Sequence, residues 1–191
     1  MQRALHEIAG RFRVTGLSYM DLCGHCNDTY EALLPAILPG DRLECEWMLV
    51  HRRDATLKSN PDVEIEVVEP NSAREDELRA ACSKLARHEY YRTCDAHLEG
   101  PLVYAHLDGE VVGTAGWFIA GGLARFRSIR TVEHLRRRGV ATSMIRFIQQ
   151  QPQVREQDGL VIFCDTEDTI NLYERLGFVR HGYLWALFRP L

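Results

Sequence analysis

Apolar and polar positions alternate in Val63-Glu64-Ile65-Glu66-Val67-Val68, the period of two that a half-buried strand requires. Leu78, Ala81, Cys82 and Leu85 then recur at helical spacing, and Asn71 or Ser72 stands where a helix needs a side-chain acceptor for its first amides. A second helical piece is expected over His88 to Leu98. Two apolar runs, Leu102 to Leu107 and Val111 to Phe118, flank Asp108-Gly109, a strong hairpin signal. Gly121-Gly122 turns the chain into another strand, Leu123 to Val132. Val140, Met144, Ile145 and Ile148 next put apolar side chains on one helical face. Leu160 to Cys164 is short, continuous and rich in β-branched residues, as a buried strand should be. Asp165, Thr166, Glu167 and Asp168 suit a helix N-terminus, and Gly177 suits its left-handed end. Phe178 to His181 and Tyr183 to Phe188 read as two closing strands around Gly182.

The first sixty residues echo this later part. Leu17 to Asp21, followed by Asn27 to Leu34, has the pattern of Leu160 to Asp165 followed by Asn171 to Leu176. Each leads to a strand bearing tryptophan and ending in arginine, Glu46 to Arg52 and Leu184 to Arg189. Residues 11–55 therefore read as a β-α-β unit, either a degenerate copy of the later half or an ordinary unit alike by chance. The polar stretch Arg52 to Pro61 is the expected linker, which divides the chain into an extension, 1–60, and a main domain, 61–191.

Between two of the predicted elements lies Arg136-Arg137-Arg138-Gly139-Val140-Ala141. A strand, a short turn with one glycine and a helix start place several unpaired N–H groups around one point, at the positive end of the helix dipole. Gly139 permits close approach of a ligand, and three arginines set its sign as negative. A pyrophosphate fits that description.

Charge and length narrow the picture. The chain has 191 residues and a formal net charge of −4, so the arginine cluster is local chemistry and general nucleic-acid binding is excluded. No apolar run approaches the ~20 residues of a membrane span, and Met1 to Gly10 lacks the apolar core of a secretory signal; a cytoplasmic protein is expected. Of six cysteines, Cys45, Cys82, Cys94 and Cys164 sit among apolar residues and read as small buried hydrophobes. Cys23-Gly24-His25-Cys26 has the spacing of a redox motif, but Asp21-Leu22 precede it and no second ligand pair stands at zinc spacing. Structural thiols and no metal are the expectation there, with a redox or metal role as the competing class.

Two motifs in this order resemble the GNAT superfamily of acyl-CoA-dependent N-acetyltransferases. Arg136-x-x-Gly139-x-Ala141 is similar to its Arg/Gln-x-x-Gly-x-Gly/Ala signature. Leu172-Tyr173-x-x-x-Gly177-Phe178, about thirty residues on, is similar to its strand–helix segment carrying a tyrosine. The resemblance covers residues 62–191, about two-thirds of the chain, and implies a mixed α/β (α+β) fold with central sheet order β-α-α-β-β-β-α-β-α-β-β, here behind an N-terminal β-α-β extension. It also implies transfer of an acetyl group from acetyl-CoA, as co-substrate, to an amine: a small molecule, an amino acid or a peptide N-terminus.

The resemblance assigns roles. The amides of Ile129 and Thr131 would pair with the pantetheine arm. Arg137, Arg138, Gly139, Val140, Ala141 and Thr142 would supply amides to the pyrophosphate, with the side chains of Arg136 and Arg138 on phosphates. Tyr173 would protonate the departing sulfur. Thr166 stands where the family often has asparagine, and Arg125 where some members carry a glutamate base. The base is left to Glu133 or His134, or to His88 or Glu89; an already neutral amine needs none. These departures keep open an acyl-CoA-binding but catalytically idle sensor or assembly domain. Many members dimerise through a sheet edge or C-terminal strands, so a homodimer is a candidate state, with neither nucleic acid nor membrane as partner.

Overall fold

A computed structural model describes residues 19–25, 39–40, 42–52, 57–85 and 100–190; residues 19–25, 42–45, 83, 128 and 183–190 are described through the backbone alone. The helices expected at Asn27 to Leu34 and His88 to Leu98, together with Cys26 and Cys94, lie outside the described residues. In chain order the elements are β1 (Tyr19–His25), β2 (Arg42–His51), β3 (Glu64–Val68), α1 (Ala73–Ala81), β4 (Leu102–Leu107), β5 (Glu110–Ala120) and β6 (Leu123–Thr131). Then follow α2 (Val140–Gln149), the short α3 (Pro152–Arg155), β7 (Gly159–Cys164), α4 (Glu167–Arg175) and β8 (Phe178–Pro190). The chain divides into two compact units, one of residues 50–162 and 173–179, the other of residues 1–49, 163–172 and 180–191.

In the first unit the strands run in the order β7-β6-β5-β4-β3. Neighbours are antiparallel except β6 and β7, which are parallel, so the sheet is mixed and the fold α/β as expected. The hairpin signals hold: Asp108 and Gly109 have φ of 55° and 78°, and Gly121 and Gly122 have 57° and 77°, positive at both central residues. The pleat decides which helix covers which face. Tyr104 pairs with Thr114 and Ala105 with Gly113, so these two rows point to opposite sides. On the Tyr104 side, α1 buries Leu78 against Val68, Leu102 and Tyr104. On the Gly113 side lies α2. A Cβ added at Gly113 would stand 2.8 Å from Val140 Cγ1 and 2.9 Å from Met144 Cε, so the helix rests directly on backbone. Met144, Ile145 and Ile148 are fully buried, and each contributes about 1.5–3 kcal/mol through the area it removes from water.

Helix α1 begins as predicted at Ser72, whose hydroxyl accepts from Glu75 N at 3.2 Å, while Glu75 Oε2 accepts from Asn71 N at 2.6 Å. Glu75 is fully buried, and its carboxylate accepts the Asn71 amide.

In the second unit the order is β1-β8-β2. Arg180 lies over the Trp47 ring at 5.1 Å and holds Glu167 in the first turn of α4 with bonds of 2.9 and 3.3 Å. One expectation fails here. Phe178 to Pro190 is a single strand, not two strands around Gly182. Gly182 is absent from the positive-φ residues a tight reversal would need, and β8 finds its partner early in the chain: residues 184–190 pair antiparallel with Tyr19–His25.

Arg146 Nη1 donates to Leu57 O at 3.2 Å, and Asn60 is bonded to both ends of the turn that opens α2. Residues 57–61 are thus fastened to the folded first unit, because their polar backbone groups find partners there.

Candidate functional site

Strand β6 meets β7 only from Leu123 to Arg125, opposite Gly159 to Val161. Beyond Arg125 the two strands part. Against β5 the register steps from Arg130 opposite Thr114 to Arg127 opposite Gly116, so β6 holds one residue more than its partner, a bulge around 128–129. Val132 N donates to Val112 O at 2.9 Å, on the β5 side. By alternation the Thr131 amide faces the side β7 has left. Ile129 sits at the bulge. The Thr131 hydroxyl is buried and has no hydrogen-bond partner among the described residues.

After β6 a short 3-10 turn, Glu133–Leu135, leads into the arginines, with Arg136 N bonded to Glu133 O at 3.1 Å. Arg137 then takes φ +65° and Gly139 φ +82°, two left-handed residues that curl the chain ahead of α2. Ser143 N closes the first helical turn on Gly139 O at 2.9 Å. Among the described residues no backbone hydrogen bond has the amide of Gly139, Val140, Ala141 or Thr142 as donor, while the turn at 136–137 closes on the Arg138 amide. No acidic residue stands in the first turn of α2, and Arg136, Arg137 and Arg138 are exposed. Arg138 has one carboxylate nearby, Asp108 Oδ2 at 3.5 Å. A curled backbone with open amides, a helix's positive end and three guanidinium groups together have the chemistry that suits a polyanion.

Asn60 and Ser143 brace this turn, and neither was anticipated. Asn60 Nδ2 donates to Arg138 O at 2.8 Å, and Asn60 N donates to Ser143 Oγ at 2.9 Å. A Cβ at Gly139 would come within 3.0 Å of Asn60 Cβ. Glycine is therefore required twice at 139, for its φ and for its neighbour. Only Asn60-Pro61, a turn-forming dipeptide, hinted that the segment had fixed geometry.

The remaining candidates are placed as follows. Tyr173, on α4, is 5% exposed, with its ring edge-on to Phe178 at 5.7 Å between centroids. Glu133 and His134 are exposed in the 3-10 turn. Arg125 lies over the Phe118 ring at 5.8 Å. Thr166 O accepts from Ile170 N at 2.9 Å, which sets Thr166 at the N-terminal boundary of α4, while its hydroxyl meets Thr169 Oγ1 at 2.7 Å. His88 and Glu89 lie outside the described residues. Cys164 is buried, and Cys82 partly so. Among the described residues no cluster of histidine, cysteine and carboxylate could hold a metal ion, and no helix is long and apolar enough to cross a membrane.

Residues 99–180, which include the parting strands, the arginine turn and Tyr173, match the family model for an acetyltransferase (GNAT) domain. That stretch, 82 of the 191 residues, is similar to the GNAT acetyltransferase domain. Solved structures share the fold over nearly its whole length. A functionally unknown conserved protein from Staphylococcus epidermidis superposes with a TM-score of 0.72 at 12% identity, over 96% of this chain and 77% of that one. A GCN5-related N-acetyltransferase from Kribbella flavida gives 0.68 at 20% identity, over 100% and 75%. Another from Sphaerobacter thermophilus gives 0.64 at 12%, over 91% and 60%. At such identities the likeness fixes the GNAT fold alone. No curated protein matches the sequence. The match over residues 99–180 supports acyl transfer as the general class of activity.

Proposed function

We propose that this protein moves an acetyl group from acetyl-CoA to the amine of a small molecule, an amino acid or a peptide N-terminus. The single observation that carries the reading is the run of undonated amides from Gly139 to Thr142 inside a stretch that matches the GNAT domain model. In this reading those amides and the side chains of Arg136 and Arg138 take the diphosphate. The Thr131 and Ile129 amides take the pantetheine arm along the edge β7 has left. The partnerless Thr131 hydroxyl fits a bound polar group near that edge. Thr166 contributes through its place at the start of α4, its hydroxyl being engaged by Thr169.

Held beside the thioester, the amine nitrogen attacks the carbonyl carbon. A C–N bond forms, the C–S bond breaks, and the electron pair leaves on sulfur. Tyr173 gives the sulfur a proton, and the nitrogen sheds one to water relayed by Glu133 or His134. N-acetyl amine and CoA thiol are the products. Most of the acceleration comes from holding both partners in attack geometry. A phenol with pKa near ~10 adds modestly, because a thiolate is already a competent leaving group.

The test is thiol release from acetyl-CoA across an amine panel, beside thermal shift. Release with at least one amine is expected. Stabilisation by acetyl-CoA without turnover on any amine would favour the idle acyl-CoA sensor instead, and neither effect would overturn the reading.

A further inference from the structure

We infer that Asn60 is a positioning residue for the diphosphate turn: it holds the Arg138–Gly139 peptide so that its amide faces the ligand. The inference rests on the acyl-CoA reading above. A trans peptide is planar, with C=O and N–H pointing in opposite directions. Asn60 Nδ2 grips Arg138 O at 2.8 Å, so the Gly139 N–H must point away from Asn60, toward the open side of the turn. Unheld, this peptide is free to flip, because Gly139 accepts either sign of φ at little cost. A flip would aim the Arg138 carbonyl where an anion is to sit.

Asn60 is itself held. Its Oδ1 accepts from Asp62 N at 3.0 Å, which fixes the side-chain amide with its nitrogen toward Arg138. Its backbone N–H goes to Ser143 Oγ at 2.9 Å, and its carbonyl accepts from Val63 N at 3.2 Å and from the Ser143 hydroxyl at 3.4 Å. Ser143 N meanwhile bonds Gly139 O. Asn60 and Ser143 thereby fix the carbonyls on both sides of Gly139, those of residues 138 and 139. Neither donates to the ligand, and the turn reaches the ligand with its amides already oriented. Preorganisation of this kind raises affinity by removing an ordering cost rather than by adding a contact.

The experiment compares Asn60→Ala and Ser143→Ala with the wild type in the full chain. Binding of CoA is titrated calorimetrically, and binding of pantetheine, which lacks the diphosphate, is followed by NMR. Asn60→Ala is expected to raise the dissociation constant for CoA about tenfold while leaving that for pantetheine within about twofold, the loss of roughly one oriented hydrogen bond. Ser143→Ala should raise the CoA value about threefold, and it decides the matter if Asn60→Ala does not fold. Unchanged CoA binding in the folded variants removes Asn60 from this role. A parallel loss for CoA and pantetheine would mean a general structural part and overturns the inference too. A wild type that binds neither ligand defeats the acyl-CoA reading itself, and the inference with it.

Discussion

Strand β6 runs into α2 through three arginines and a glycine, whereas β7 runs into α4 through Asp165, Thr166, Glu167 and Asp168. Both helices begin with the same surplus of backbone donors and the same dipole. Side chains make the difference. At α4 the first turn carries Glu167 and Asp168, the Thr166 hydroxyl is taken by Thr169, and Glu167 is bound by Arg180. At α2 the first turn has no acid and its amides donate to nothing described. The local charge differs accordingly. Burial first, then Asp165 and Glu46, push the Cys164 thiol beside the α4 junction up to about 11. A helix start is thus only a potential anion site. It becomes one where the protein withholds its own carboxylates and curls the preceding backbone.

The largest effect that would break this contrast is Gly139→Glu. It forces a side chain into φ +82°, against Asn60 Cβ at 3.0 Å, and sets a carboxylate among the open amides. A loss of acetyl-CoA affinity of about a hundredfold, ~2.7 kcal/mol, is expected by calorimetry. Retained tight binding would mean the turn holds no diphosphate.

Next comes Tyr173→Phe, on the helix that the acidic junction opens. Turnover should fall roughly tenfold with acetyl-CoA affinity near wild type, as the proposed role of the hydroxyl at the leaving sulfur requires. Equal turnover would leave Tyr173 as a packing residue against Phe178.

The smallest effect sharpens the comparison at Cys164. With its pKa raised to about 11, the native thiol should react with iodoacetamide at pH 8 about a hundredfold more slowly than the same cysteine in urea, where the ordinary value of 9.0 returns. The sign follows: a raised folded value favours the neutral thiol, so this contribution to stability holds below pH 9 and is lost as pH rises toward 11. Fast labelling of the folded protein would show the acidic junction to be less buried than described.

Much of this was legible because local rules and global fold agree. The alternation in β3, the serine cap of α1, the Asp108-Gly109 hairpin and the arginine turn each depend on neighbours within a few positions. The closing strands were not legible in that way. Gly182 looks like a turn on composition, but β8 continues through it because β1, from the far end of the chain, offers a ladder of partners. Asn60 escaped for a related reason. Its role is set by residues 78 and 83 positions away, and a polar residue before proline carries no mark of a long-range bond. The bulge in β6 was invisible as well, since an extra residue shows only when two strands are laid in register.

Gly113, opposite Thr131 in register, is given no part in holding the proposed ligand, yet it governs how high the opening turn of α2 rides above the sheet. A methyl group there would meet Val140 Cγ1 at 2.8 Å. Met144 could swing its tip aside, but a β-branched valine cannot, so the helix itself would have to lift. The reach from the splayed strand to the arginine loop is therefore gauged by a single missing carbon, and a change on β5 would register as a mis-set grip by displacing Val140.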